Sequence, residues 1–438
     1  MVTQSAQWMS TARMLRRAGF GASGAEIDSV QGLAPADYLR TALVADPDAD
    51  PGARETPLPE FPETVAPGKN ASLDVRKRYN AERTDQLGAL TGWWLRRMAA
   101  VHQPIHEKLT LLWHNHFATS AAKVRDAAAM AAQNQRLRTS GTGDFGALAY
   151  AMITDAAMLK WLDGVSNSAK APNENLSREF MELFALGHGN GYTETDVREG
   201  ARALTGWTID GDGAVTLKPG RHDPGPKTLL GVSGSLGARE FCDIVLGRPE
   251  SARYVAGRMW QQLGSDAPPS QSAIDRAVAA YGPNRDIASL VVAILTDNEF
   301  TTARDTVVHG PIEWLIGAVR ALAVPIGSDA DVRKLTGVLR NLGQVPFYPP
   351  SVGGWPHGQA WMSTAAAQRR LIEASSLVKN ADLSRISAAA PADRVDAVGY
   401  QLGVGAWSDR SAAVLTSVRD HPAELTAIAL NTPEYLTS

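Results

Sequence analysis

Three stretches of this sequence hold residues whose types and spacing could do chemistry. HDPGPK (222–227) places His222, Asp223 and Lys227 among Pro224, Gly225 and Pro226. Helix packing requires no His-Asp pair there, and loops on a helical scaffold are common places to present catalytic groups. NENLSREFMELFALG (173–187) places Glu179 and Glu182 at i, i+3, on the edge of a stripe formed by Leu176, Phe180, Leu183 and Phe184. A carboxylate at such a border is partly desolvated, which raises its pKa and suits a general acid unless an arginine such as Arg178 holds it ionised. Glu179 and Asp223, with His222 beside them, form the candidate acid/base set, because two carboxylates with different pKa values are what glycoside hydrolysis needs. The plainer alternative is an Arg–Glu network tying helices together. Arg202 anchors a substrate carboxylate or braces Glu179.

The stretch LLWHNHFATS (111–120) sets His114 and His116 two positions apart. A helix over residues 105–118, with Pro104 in its first turn, has an apolar face of Ile105, Leu109, Leu112, Trp113 and Phe117. His116 falls inside that face, and His114 is rotated roughly 200° from it at about 100° per residue. The expectation is that His116 is the more buried and faces the Glu179 helix, with His114 turned to another neighbour or to solvent. His116 and Trp113 then line the site; the plain alternative for His116 is a core histidine bonded to a backbone carbonyl. A metal alternative gathers His116, His222, Asp223 and Glu179 around a divalent ion, although no second ligand at short helical spacing supports it. His102 and His106, separated by Pro104, are expected at the surface.

QVPFYPPSVGGWPHGQAW (344–361) supplies Gln344, Phe347 and Trp355, with Tyr348, His357 and Trp361. Rigid aromatics among a few amide and imidazole groups suit a cleft for sugars, whose C–H faces pack on rings while polar groups bind hydroxyls. An ordinary buried Trp-Pro plug is the alternative. Lys227, Arg202, Gln344, Phe347 and Trp355 complete the expected substrate contacts.

The elements that must hold these residues are helical. Apolar residues recur at helical rather than alternating spacing, and the class is mainly α, a multi-helix single body with long irregular loops. Helices are expected near residues 105–118, 175–186 (stopped by Gly187) and 194–205. The last opens on a capping box, Thr193 with Asp196, and a staple of Tyr192 on Val197. One small β-hairpin is expected near residues 207–217, around Asp-Gly turns. Residues 1–44 read as an N-terminal helical segment, 45–68 as a proline-rich surface excursion and 69–438 as the main helical domain.

A hydrophobic content of 44% with 20% charged residues fits an ordinary globular chain and argues against disorder. The balance of 43 basic against 46 acidic residues gives no bulk attraction to phosphate backbones, so nucleic acid is not an expected partner. A single cysteine, Cys242, excludes an internal disulfide. No run is long and apolar enough for a membrane span or an export signal, so the chain as written is expected in the cytoplasm. Dinucleotide, P-loop, nucleophile-elbow and zincin motifs are all missing.

LRRAGFGAS (15–23), KLTLLWHNHFATS (108–120), NENLSREFMELFALG, GYTETDVREGARALTGWT (191–208), HDPGPKTLLG (222–231) and LGQVPFYPPSVGGWPHGQAW (342–361) resemble, in sequence and order, a bacterial family catalogued as domain of unknown function 1800. The resemblance implies little about activity. Many relatives carry an export signal and occur beside a sulfatase-like companion, and this chain departs by lacking the signal. The leading expectation is a hydrolase acting on a carbohydrate or cell-envelope glycan. Its alternatives are a metal-dependent hydrolase or oxygen-using enzyme, and a non-catalytic helical protein working with a companion.

Overall fold

A computed structural model of the chain describes residues 3–302 and 307–437. The helix Ile105–His116 carries apolar residues on several sides, and a helix without a broad polar face is driven into the interior. Only Asn115 along it is not fully buried. Leu109, Leu112 and Trp113 enter one core with Phe145, Phe180, Phe184 and Trp260. Leu111 enters another with Trp94, Trp314, Phe347 and Trp355. The helix therefore runs between two cores, against Ala127–Ser140 and Pro35–Val44.

Its buried polar residues need partners, and find them in distant segments. Glu107 accepts from Arg97 Nε (2.6 Å), Arg138 Nε (2.6 Å) and Trp94 Nε1 (2.8 Å). Arg97 continues to the Pro47 carbonyl (2.9 Å) and Asp48 (2.8 Å), which pins the start of the proline-rich excursion. That segment is largely exposed coil broken by one turn, Pro51–Arg54. Gly52 lies so close to the long helix Leu73–Ala100 that a Cβ would sit 2.0 Å from the Ala100 carbonyl oxygen. His106 corrects the sequence expectation: it is buried, its Nε2 3.0 Å from the Ala42 carbonyl oxygen, because the helix Pro35–Val44 folds over that side. His102 is exposed as expected. The N-terminal helices share the main cores, with Trp8, Leu39 and Leu43 in one and Phe20 in the other.

The helix expected over 175–186 forms in two parts, α-helical at Asn175–Glu179 and wider at Phe180–Ala185, where the Leu186 N–H reaches the Met181 carbonyl five residues back (2.9 Å). Gly187, at φ +86°, ends it. The helix Glu194–Ala203 opens on the expected box, with the Asp196 N–H on Thr193 Oγ1 (3.3 Å) and the Thr193 N–H on Asp196 (2.8 Å). Trp207–Ile209 pairs with Val215–Leu217 as the expected hairpin. A second hairpin, Lys227–Leu229 with Val232–Gly234, turns through Leu230 and Gly231 at φ +50° and +84°. Leucine is an unusual occupant of such a turn, so no Asn-Gly signal marked it. Among the described residues no helix is long and apolar enough to cross a membrane.

Replacing Glu107 by alanine strands two buried guanidinium groups and should cost about 3–5 kcal/mol, read as a lowered denaturant midpoint. Burial works to raise the Glu107 pKa, but the two arginines outweigh it and hold it near about 2, below the ordinary 4.5. The sign follows: its contribution is complete above pH 4.5 and is lost as pH falls toward 2, so the mutant should lose less stability than the parent over that range.

Candidate functional site

The two histidines of WHNHF turn to different neighbours, as the helical rotation requires. His116 Nε2 lies 2.9 Å from the Phe184 carbonyl oxygen, facing the segment that follows Glu179, with Trp113, Phe117 and Phe145 around its ring. It is a core histidine on a backbone carbonyl. His114 departs from expectation: it is 1% exposed against 5% for His116, and packs among Trp94, Phe347 and Trp355 with ring centroids 5.4–5.6 Å apart. The reason is the second core, which covers the side of the helix that an amphipathic reading leaves for solvent. Burial pushes His114 down to about 3; burial and the Arg258 charge do the same to His116. Trp113 is fully buried, its Nε1 donating to the Gly141 carbonyl (2.7 Å). Phe347 and Trp355 are likewise buried, so the aromatic loop is in large part a plug.

The loop at 222–227 is saturated by its own surroundings. Arg202 donates to Asp223 (2.7 Å) and to Glu199 (2.9 and 3.0 Å), and the Gly225 N–H takes the other Asp223 oxygen (2.9 Å). The Arg202 hydrogen bond holds the Asp223 carboxyl below its usual range. Lys227 is buried and donates to the Asp223 and Gly225 carbonyls (2.6 and 3.0 Å), while His222 Nδ1 is 2.9 Å from the Thr205 carbonyl oxygen. Arg202 thus grips Asp223 rather than Glu179. Arg178 clamps Glu194 (2.7 and 2.8 Å) and Glu174 (2.9 Å), which is the interhelical network considered as the alternative. Burial, then the charge of Glu182, raises the Glu179 pKa. Glu182, Arg178 and His188 act on the Glu179 carboxyl, and Arg202 and Lys227 on that of Asp223. Among the described residues no three His, Cys, Asp or Glu side chains gather as a metal site, and His116, His222, Asp223 and Glu179 are no exception.

A cleft opens elsewhere, where the 105–116 helix meets the end of helix Pro249–Leu263, the start of helix Pro311–Ala321 and the 344–361 loop. Lys108, Leu111, Leu112 and Asn115 line it at i, i+3, i+4 and i+7, one stripe of a helix. Lys108 Nζ bonds Glu313 Oε1, and Glu313 Oε2 accepts the Gly310 N–H (2.8 Å). Gln344, the one expected substrate contact that does reach the cleft, accepts the Ile312 N–H through Oε1 (2.9 Å). Two side chains therefore occupy free N–H groups at the start of the 311–321 helix. Asn115 Oδ1 accepts the Trp355 N–H (2.7 Å), and Gln261 Nε2 lies 2.9 Å from the His357 ring. Asp266 uses Oδ2 for the Val308 N–H (3.2 Å), while its Oδ1 is buried with no hydrogen-bond partner among the described residues. Gly358, at φ +60°, backs this carboxylate so closely that a Cβ would meet both oxygens at 3.1 Å. Burial would raise the Glu313 pKa, but Lys108 and the Gly310 N–H hold it below the ordinary range. His309, beside Glu313, is driven by burial down to about 3. The cavity at the base of the cleft is about 40 Å³.

Sequence reasoning passed over Lys108, Asp266 and Glu313. A lysine inside the apolar run KLTLLW and the Gly-Pro-x-Glu helix start at 310–313 were the available signals; Asp266 carries none.

Substituting Gly358 by alanine adds a Cβ where φ is positive and Asp266 is in the way, so it should destabilise the loop and displace that carboxylate, by roughly 1 kcal/mol or more in thermal unfolding. His114, His116 and His309 give a pH dependence whose sign is fixed by their lowered values: between 6.5 and about 3 the unfolded chain binds protons that the native one refuses, so stability falls as pH falls through that window. The slope of unfolding free energy against pH near pH 5 should approach about 1.4 kcal/mol per unit for each histidine.

Comparison with curated proteins and with solved structures finds no match. The family described as "Protein of unknown function (DUF1800)" matches residues 13–437, a span that contains every residue lining the cleft, and the chain belongs to that family.

Proposed function

We propose that the protein is a hydrolase acting on a carbohydrate or cell-envelope glycan by carboxylate acid/base catalysis, with Asp266 and Glu313 in the cleft as the reacting pair in place of Glu179 and Asp223. The observation that carries the reading is Asp266 Oδ1, an acceptor buried at the cleft without a hydrogen-bond partner among the described residues. Leaving such an atom unsatisfied costs about 1–3 kcal/mol, a cost that a bound substrate group removes. Glycoside hydrolysis needs one carboxyl to exchange a proton with the glycosidic oxygen and a second, ionised, to draw a proton from water or to attack the sugar carbon. Glu313 suits the ionised role, because Lys108 neutralises it and each of its oxygens keeps a lone pair beyond its present bond. Asp266, with one oxygen uncommitted, is the carboxyl placed to meet the glycosidic oxygen. Trp361 supplies an apolar wall, and Asn115, Gln261 and Gln344 supply amides for hydroxyls.

Incubation with a panel of polysaccharides and cell-envelope glycans should release new reducing ends. Asp266→Asn should slow that release by roughly 10²–10⁴-fold, the usual worth of a positioned acid or base. Release at the parental rate in that variant would overturn the assignment.

A further inference from the structure

The hydrogen-bonding character of the cleft selects among sugars. We infer that it is a pocket for a neutral, hydroxyl-bearing sugar end, and that it rejects sugars carrying a carboxylate or an acetamido group at that position. The inference rests on the reading above for its site, and adds the class of group that site accepts.

The orientation of the two amides is fixed by their partners. Asn115 and Gln344 each face a backbone N–H, of Trp355 and Ile312 respectively, and a backbone N–H can only donate. The carbonyl oxygen of each amide must therefore point at the backbone, which leaves each NH2 group as a donor without a hydrogen-bond partner among the described residues at the cleft wall. Opposed to these donors is a buried acceptor that has no hydrogen bond among the described residues, Asp266 Oδ1. Oδ2 cannot change places with it, since the Val308 N–H holds that side of the carboxylate (3.2 Å) and Gly358 backs both oxygens.

A ligand that completes this wall must donate to a carboxylate and accept from amides. A hydroxyl does both. A carboxylate accepts only, and would leave Asp266 Oδ1 without a donor. An ammonium donates only, leaves the amide hydrogens unmet, and comes near Lys108, which lines the same cleft. Size acts in the same direction: the roughly 40 Å³ over which a water's centre can move accommodates hydroxyl and hydroxymethyl groups, about two or three waters' worth, but not a planar acetamido group.

The Asp266→Asn variant turns this into a test with a direction. The Val308 N–H still requires an acceptor, so the new amide must set its oxygen there and aim its NH2 into the cleft, converting that acceptor into a donor. Binding of methyl glucoside, methyl glucuronide and methyl N-acetylglucosaminide to the full chain is measured by ligand-observed NMR, with thermal unfolding confirming that the variant is folded. The parent should favour the glucoside over both others by about ten-fold or more, the usual penalty for leaving a buried polar group unmatched. Asp266→Asn should erase or reverse the preference over the glucuronide. Equal binding of glucoside and glucuronide by the parent, an unchanged ratio in the variant, or binding of none of the three overturns the inference. Turnover is read separately: selective binding without bond cleavage sinks the hydrolase reading and leaves this one standing, and cleavage without selectivity does the reverse.

Discussion

Glu107 is the residue on which the placement of the rest depends. It lies 1% exposed between Arg97 and Arg138, with the Trp94 indole completing its hydrogen bonds. Removing three charges from water costs several kcal/mol per ion, which the mutual attraction does little more than offset, so the triad is a poor candidate for net stabilisation. What it supplies is orientation. A helix that is apolar almost all round could rotate between its two cores at small cost, since hydrophobic burial has no direction. A carboxylate that must meet two guanidinium groups and an indole admits one rotation. With Glu107 fixed, Lys108 lies about 100° further round, and the stripe of Leu111, Leu112 and Asn115 follows it toward the cleft.

The same geometry explains what could be read from the sequence. Local rules located the helices near 105, 175 and 194, the Thr193–Asp196 box, the 207–217 hairpin and the proline-rich excursion, because each depends on residues within a few positions of one another. They also put His116 against the segment after Glu179. They failed for His106 and His114, where the absence of a water-facing side depends on which distant helices cover it. They failed for the pairing of Lys108 with Glu313, 205 residues apart, and for Asp266, which only the chain near Val308 and Gly358 turns into a cleft residue. The widened turn at Phe180–Ala185 and the Leu230–Gly231 turn were hidden for a different reason: both set residues in backbone states that their side chains do not advertise.

The 344–361 loop divides its labour along its length. Phe347, buried at φ +69°, and Trp355 are held in the aromatic group around His114, and an uncharged imidazole is the only form of that ring the group tolerates. That packing outweighs the strain of a left-handed phenylalanine, about 1 kcal/mol or more. It also fixes where Gly354 approaches Asn115 and where Gly358 approaches Asp266. The aromatics expected to meet a sugar therefore set the backbone, and it is Gln344, Gly358 and Trp361 of this loop that line the cleft.

Two polar clusters in this chain differ in a way that decides which one has work left to do. Around Asp223, both carboxylate oxygens, the Lys227 ammonium and the Arg202 guanidinium are engaged with one another and with backbone carbonyls and N–H groups. A ligand arriving there meets groups that each already have a partner. At the cleft the framework bonds are equally complete: Glu313 with Lys108 and Gly310, Gln344 with Ile312, Asn115 with Trp355. Yet Asp266 Oδ1 is buried and has no hydrogen-bond partner among the described residues. A folded protein keeps such an atom only if its surroundings bear the cost, and at Gly358 a Cβ would come within 3.1 Å of both oxygens of that carboxylate.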